Sequence, residues 1–340
     1  YKNSKEGFLS LTQKEKDMIL TAKEYSKKTL VLLNTANPFS CSFLDEYDID
    51  ACLYIGYVGE SGLDALPDIL LGKENPSGRL SDTYLVDPRQ SISVKNKKDF
   101  SYSDQKEDKE WDNTYAYQIQ SENLYVGYRY YETEYYDDIR SLTSSDYDTK
   151  VYYPFGYGLS YTTFEEKILS LSKEETGYRM EVEVTNTGKR EGRHTILLFL
   201  FSPYTDYDKE NGIEKSAVSL LCFEKTDVLK PREKTTLSLS FTLEDMASYD
   251  EKIRQSYLLE KGTYLLSLGE DSHDATKKVL KKQGYLKEDV STANVYEFDQ
   301  PQELVFSKCA KGEIRNRFEE ESIERFYPDQ ELSLIHISEP

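Results

Sequence analysis

The chain has 340 residues, a length that fits two or three domains, and 38% of them are hydrophobic, enough to pack cores. Its formal net charge of −19 repels phosphate backbones and anionic lipid, which argues against nucleic acid and membrane surfaces as partners. No apolar run approaches the length of a membrane helix.

The four cysteines, Cys41, Cys52, Cys222 and Cys309, are far apart and form no CxxC pair. Neither a metal site, a cofactor nor a disulfide framework is therefore expected. Cys52 and Cys222 lie in apolar runs and read as small buried hydrophobes. Free thiols lean towards a reducing, cytoplasmic compartment. The chain begins at Tyr1, so the absence of a signal peptide decides nothing. Residues 332–340 resemble a translated sequencing adapter and are set aside as non-native.

In chain order, residues 12–28 read as a helix. Thr12 and Glu15 form a capping-box pattern, and Met18, Ile19, Ala22 and Tyr25 give an apolar stripe at spacings of three and four. Residues 29–34 and 48–57 read as buried strands, the first closed by Asn37-Pro38. Residues 59–72 read as a loop and a helix with a glycine stop, with Pro67 placed in the first turn. Helix, strand, strand, helix implies a parallel sheet covered on its faces, with 29–35 and 51–57 as neighbours or next-neighbours. Ligands of such sheets gather at the carboxyl ends of strands, which points to loops 34–38 and 58–62.

Residues 87–121 are polar and read as a long surface excursion. Residues 124–131 are β-prone and aromatic. Read as a strand, they put Tyr125, Gly127, Arg129 and Tyr131 on one face. From about 166 the texture changes to short alternating strands, at 178–185, 194–201, 234–241 and 262–269, which indicates a β-sandwich. Residues 271–331 read as a connecting segment with one short helix near 274–282.

Residues 30–38 (LVLLNTANP), 72–83 (GKENPSGRLSDT), 124–132 (LYVGYRYYE) and 153–164 (YPFGYGLSYTTF) resemble, in order, blocks of the family 3 glycoside hydrolases. Residues 184–192, 223–231 and 260–269 continue the resemblance through a fibronectin type III-like domain. Segments at 272–274, 294–300 and 313–321 are similar to the connecting segment of a subgroup whose α/β domain precedes its catalytic barrel. The fold implied is an α/β sandwich domain with a mainly parallel sheet over 1–164. An all-β fibronectin type III-like sandwich follows over 165–270, then a segment over 271–331 leading to a barrel.

Retaining glycoside hydrolysis needs two carboxyl groups about 5 Å apart. The resemblance implies a nucleophilic Asp on the barrel and an acid/base Glu in a loop upstream of the first matching block. Glu6-Gly7 is followed by Phe8 and Leu9 instead of an Asp-Arg pair, and Thr12 already caps the next helix. It reads as linker, so no catalytic residue is assigned within the chain. The 58–62 loop departs from the family's Pro-Gly-x-Glu-Gly-Gly. Ser61 and Leu63 stand where Glu and Gly are usual, which leaves a diverged or inactive enzyme open. Glu60 would reach in from the neighbouring position, or else is a solvated acid beside a helix N-terminus. Glu122 matches the family's Glu of Tyr-x-Glu-Gly-Ile, with Asn123 in place of Gly, and Arg129 follows it. The residues expected to bind substrate or meet the barrel are therefore Gly59, Glu60, Glu122 and Arg129.

The remaining features read structurally. His194 and His273 look isolated, without a triad partner. Pro154, Gly156 and Gly158 form turns between the domains. Arg232 stands where relatives usually carry Gly, so that turn must avoid a positive φ or accept strain. The 29 tyrosines could stack on sugar faces, but tyrosine in strands is more often packing. The expected function is that of a fragment of a retaining β-glucosidase, inactive alone, with a carbohydrate substrate and its own barrel as partners. The alternative is a non-catalytic carbohydrate-binding or structural protein built on the same domains. The ordered α/β blocks argue against a generic adhesion sandwich.

Overall fold

Thr12 starts the first helix as expected. Its side chain accepts the Glu15 N–H, and the Glu15 carboxylate accepts the Thr12 N–H at 2.8 Å. In a computed structural model, which describes residues 9–96, 100–101, 116–117 and 122–306, this helix is α1 (Gln13–Tyr25). Of the expected stripe only Ile19 is buried, while Met18 and Tyr25 are exposed. The helix covers two strands only, and so narrow a sheet takes one row of side chains.

Those strands are β1 (Leu30–Leu33) and β2 (Ala51–Tyr54), paired in parallel with Leu30 opposite Ala51 and Leu33 opposite Tyr54. The crossover between them carries α2 (Phe43–Glu46), which buries Phe43 and Leu44 against Leu33 and Cys41. Cys52 sits at the edge of that core, half-buried instead of buried. After β2, a 3-10 turn (Gly62–Ala65) leads into α3 (Leu66–Leu70), with Pro67 in the first turn, and Gly72 follows at φ +69. Next come β3 (Tyr84–Leu85), α4 (Ile92–Asn96), and the short antiparallel pair β4 (Phe100–Ser101) and β5 (Ala116–Tyr117). Of the 87–121 excursion, residues 97–99, 102–115 and 118–121 lie outside the described residues.

The tyrosine-rich segment is not a strand. It forms α5 (Tyr128–Arg140), entered through Gly127 at φ +59 and ψ −130, a conformation open to glycine. Tyr128, Tyr131, Tyr135 and Ile139 recur at spacings of three and four, and this face packs into one core. That period outweighs tyrosine's β preference, and it shows only when the window extends past residue 131. The helix is followed by α6 (Tyr147–Lys150) and by β6 (Val151–Tyr153), which pairs with β3.

The sandwich then forms where alternation places it. One sheet has the order β11-β8-β7, from β7 (Phe164–Lys173), β8 (Gly177–Asn186) and β11 (Lys234–Thr242). The other has the order β10-β9-β14-β15, from β9 (Thr195–Phe201), β10 (Ser219–Lys225), β14 (Gly262–Leu268) and β15 (Val295–Gln300). The helix α7 (Asp206–Asn211) lies between β9 and β10. A small sheet of β12 (Ser248–Asp250), β13 (Ser256–Leu259) and β16 (Leu304–Phe306) closes one end.

The strand β9 is apolar without alternation because both its faces are covered. Ile196, Leu198 and Leu200 meet Met180, Val182 and Val184 in the sandwich core. Leu197, Phe199 and Phe201 meet α5 and the helix α8 (Ser272–Lys282) in a second core. Residues 271–306, expected mainly to connect, thus build part of the fold. The helix α8 buries Ala275, Val279 and Leu280, and β15 extends the sheet along β14. The turn at Arg232 accepts strain, with φ +70.

Candidate functional site

Two loops at the carboxyl ends of the parallel strands were expected to gather ligands, and they part company. The loop after β1 turns at Asn37, whose N–H donates to Thr35 Oγ1 at 3.3 Å. Asn37 and Pro38 then face the start of α5 across a cavity of about 280 Å³. The loop after β2 contributes no residue to this cavity. Gly59 has φ +61 with open space around it, Glu60 is exposed, and neither lines the cavity. Glu122 and Arg129 are half-buried beside the cavity without lining it. The structure therefore joins the 34–38 loop to the tyrosine segment in one cavity, which Gly59 and Glu60 do not line.

Asp82, Thr83, Tyr130 and Tyr131 are among the other residues that line the cavity. Asp82 Oδ1 accepts the Thr83 N–H at 2.8 Å and stands 3.7 Å from where a Gly127 Cβ would lie. Asp82 is exposed as a residue, yet neighbouring atoms crowd its carboxyl enough for desolvation to raise its pKa. The Thr83 Oγ1 and the Tyr131 hydroxyl are buried without a hydrogen-bond partner. The Ile92 N–H lies near the Tyr131 oxygen, short of hydrogen-bond geometry. Sequence reasoning passed over Asp82 and Thr83, although both close the 72–83 block.

The rest of that block is a seam between the two units. Asn75 Oδ1 accepts the Tyr161 N–H at 2.8 Å and the Ser160 hydroxyl at 3.0 Å, and its Nδ2 donates to the Glu191 carbonyl at 3.0 Å. Arg79 Nη1 donates to the Gly158 carbonyl at 2.9 Å and the Glu270 carbonyl at 3.3 Å. A Cβ on Gly158 would stand 2.4 Å from the Gly78 carbonyl oxygen, so the backbones touch there.

Neither histidine is isolated. His194 Nε2 lies 2.6 Å from Glu166 Oε1. Glu132, 1% exposed, accepts the Tyr147 hydroxyl at 2.5 Å and the Ser272 hydroxyl at 3.0 Å, and lies 3.2 Å from His273 Nδ1. The His273 ring stacks on Tyr147 at 3.9 Å. Tertiary packing of α5, α6 and α8 makes this cluster, which no local spacing signals. Ser272 bonds the carboxylate and not the imidazole, so it is not an activated nucleophile. Burial pushes the Tyr147 hydroxyl well up, and raises the Asp271 carboxyl beside it to about 6. In the sandwich, Lys215 is buried between Asp208 and Glu260, and desolvation lowers its pKa. Among the described residues no group of three metal-ligating side chains occurs, and no helix is long and apolar enough to cross a membrane.

Residues 3–161 match the family model of the glycosyl hydrolase family 3 C-terminal domain, and residues 204–272 that of a fibronectin type III-like domain. The chain is 32% identical over 276 residues to a β-glucosidase of Ruminococcus albus, covering 80% of this chain and 25% of that protein. It is 32% identical over 289 residues to β-glucosidase A of Butyrivibrio fibrisolvens, covering 79% and 31%. Among solved structures it is similar to a β-glucosidase from Paenibacillus barengoltzii, with a TM-score of 0.68 and 26% identity over 89% of this chain and 29% of that one. It is also similar to β-glucosidase 3B from Thermotoga neapolitana in complex with α-D-glucose, with a TM-score of 0.64 and 25% identity over 88% and 35%. The chain thus spans about a quarter to a third of the length of these relatives. It carries the C-terminal α/β domain of glycosyl hydrolase family 3, followed by a fibronectin type III-like domain.

Proposed function

We propose that the protein supplies the α/β domain (1–164) and the sandwich (165–270) of a retaining β-glucosidase that hydrolyses terminal O-glycosidic bonds. Residues 271–306 complete this sandwich and its helical cover, and residues 307–331 lead towards the barrel. The observation that carries this reading is the match to β-glucosidases, in one order, through both domains and across the Asn75–Arg79 seam. The chain alone is inactive, because two-carboxylate chemistry draws on a barrel nucleophile and an acid/base Glu, and neither is assigned within the chain. Gly59, Glu60, Glu122 and Arg129 are placed at the substrate or barrel contact. In support, the side chains of Glu60, Glu122 and Arg129 make no ion pair among the described residues. Unpaired Cys41, Cys52 and Cys222 support a reducing, cytoplasmic setting.

The test is hydrolysis of a nitrophenyl β-glucoside by this chain and by a protein that joins it both to a family barrel and to the upstream α/β segment that carries the family's acid/base Glu. Turnover with retained configuration is expected in the joined protein only. Turnover by the chain alone, above a boiled control, overturns its assigned inactivity. A folded but inert joined protein overturns the hydrolase reading. In the active joined protein, Glu60→Gln, Glu122→Gln and Arg129→Ala should lower kcat/KM or loosen the domain contact. If all three stay within about twofold of the parent, the contact face is misplaced.

A further inference from the structure

We propose that the seam between the α/β unit and the sandwich carries a binding site for a doubly charged tetrahedral oxyanion, a phosphate or sulfate group, held by Arg79, Arg193 and Lys225. This goes beyond the hydrolase reading, since the ligand is charged and the site lies within the chain's own two units.

Backbone register brings the three cations together. Lys225 stands opposite Thr195 across β10 and β9. The Thr226 N–H then donates to the His194 carbonyl at 2.9 Å, so Asp227 falls opposite Arg193. Arg193 and Lys225 are therefore diagonal neighbours on one face of the sheet, within reach of each other's long side chains. Glu224 points to the other face, opposite Ile196. Lys225 reaches across to the α/β unit, where its Nζ donates to the Ser77 carbonyl at 3.0 Å. Arg79 follows two residues later, its Nη1 fixed by the Gly158 and Glu270 carbonyls.

These partners orient the cations without neutralising them. A carbonyl carries no net charge. The Arg193–Asp227 pair is open at 3.8 Å with the Asp227 side chain fully exposed, a geometry that contributes little in water. Burial lowers the Lys225 pKa, and repulsion from Arg193 and Arg79 lowers it further. In a chain with 62 acids against 43 bases, three like charges on one face run against the overall balance. An oxyanion between them relieves the repulsion and takes charge-assisted hydrogen bonds from all three.

The site is open to such a ligand. Arg193 and Lys225 are exposed and Arg79 is half-buried. An ammonium has three donors and a guanidinium five, so the carbonyl bonds leave donors to spare. Phe223, 64% exposed, lies two residues before Lys225 on the same face, an apolar neighbour for the body of an organic ester.

The experiment follows the melting temperature of the purified chain with sodium phosphate or sodium sulfate, each against sodium chloride at equal ionic strength. A saturable rise with phosphate and sulfate, absent with chloride, is expected. Lys225→Gln and Arg193→Gln should each weaken phosphate about tenfold, the worth of a hydrogen bond to a charged group. Both are surface changes, so both variants should fold. Lys209→Gln removes an exposed cation from α7, past the far end of β9, and should leave phosphate binding unchanged. Phenyl phosphate separates the two sources of the oxyanion. Binding tighter than inorganic phosphate, with the gain lost in Phe223→Ala, identifies an ester, and equal binding identifies the free ion. The proposal is overturned by equal shifts with chloride, by no saturation, by phosphate affinity that neither Lys225→Gln nor Arg193→Gln changes, or by an equal loss in Lys209→Gln.

Discussion

The two units of this chain use equally apolar strands and bury them very differently. In the sandwich, Val182 and Leu266 are fully buried, with partners from the facing sheet. In the α/β unit, Leu30 and Leu32 on the matching face of β1 stay over a third exposed. Hydrophobicity does not set this difference, since both runs are leucine- and valine-rich. The number of covered faces does. The strand β9 has a sheet on one side and two helices on the other, whereas β1 is covered by α1 and α2 on one face only. The strength of the molecule should therefore lie in the sandwich and its helical cover.

The sharpest break of that comparison is Phe199→Ala against Leu32→Ala. Phe199 is enclosed between Tyr128 and Phe155, and its loss should cost about 3–5 kcal/mol. Leu32→Ala should cost under about 1 kcal/mol. Urea denaturation of both variants measures the contrast, and equal costs would refute it.

Next in size is the cluster that holds α5 to α8. Glu132→Ala removes the shared acceptor of Tyr147 and Ser272 and the partner of His273, and should cost about 2–3 kcal/mol by the same measurement. Glu132→Gln keeps an acceptor and should cost less.

Asp271, the cap of α8, tests the same seam through pH. Its folded pKa, about 6, lies above the ordinary 3.8, mainly through burial. A raised folded pKa means the native state holds the proton more tightly. That stability is full below about 4 and is lost as pH rises to about 6. Melting temperature should fall across this window in the parent relative to Asp271→Asn, which keeps a good cap and carries no titrating proton. Parallel pH profiles for the two would show that Asp271 is not desolvated.

The smallest effect belongs to the turn between β10 and β11. Arg232→Gly relieves a side chain held at φ +70 and should stabilise by up to about 1 kcal/mol, offset in part by the freer unfolded chain. A lower melting temperature for this variant would mean that the arginine contributes more than its strain costs.

Much of the fold was legible in the residues themselves. The strands at 178–185, 194–201, 234–241 and 262–269, the Thr12 cap, the parallel pair and the early position of Pro67 all follow from local periodicity and capping, which the backbone obeys within a few residues. The ordered blocks also carried the family. Three things waited for the tertiary structure. The 124–131 segment favours strand by composition, and only packing against β9 and α8 holds residues 128–140 as a helix. The partners of His194 and His273 lie 28 and 141 residues away, beyond any local pattern. Asp82 and Tyr131 come to one cavity because β3 and α5 pack into a shared core through Leu85 and Tyr131, a placement set by which faces find cover and not by spacing along the chain.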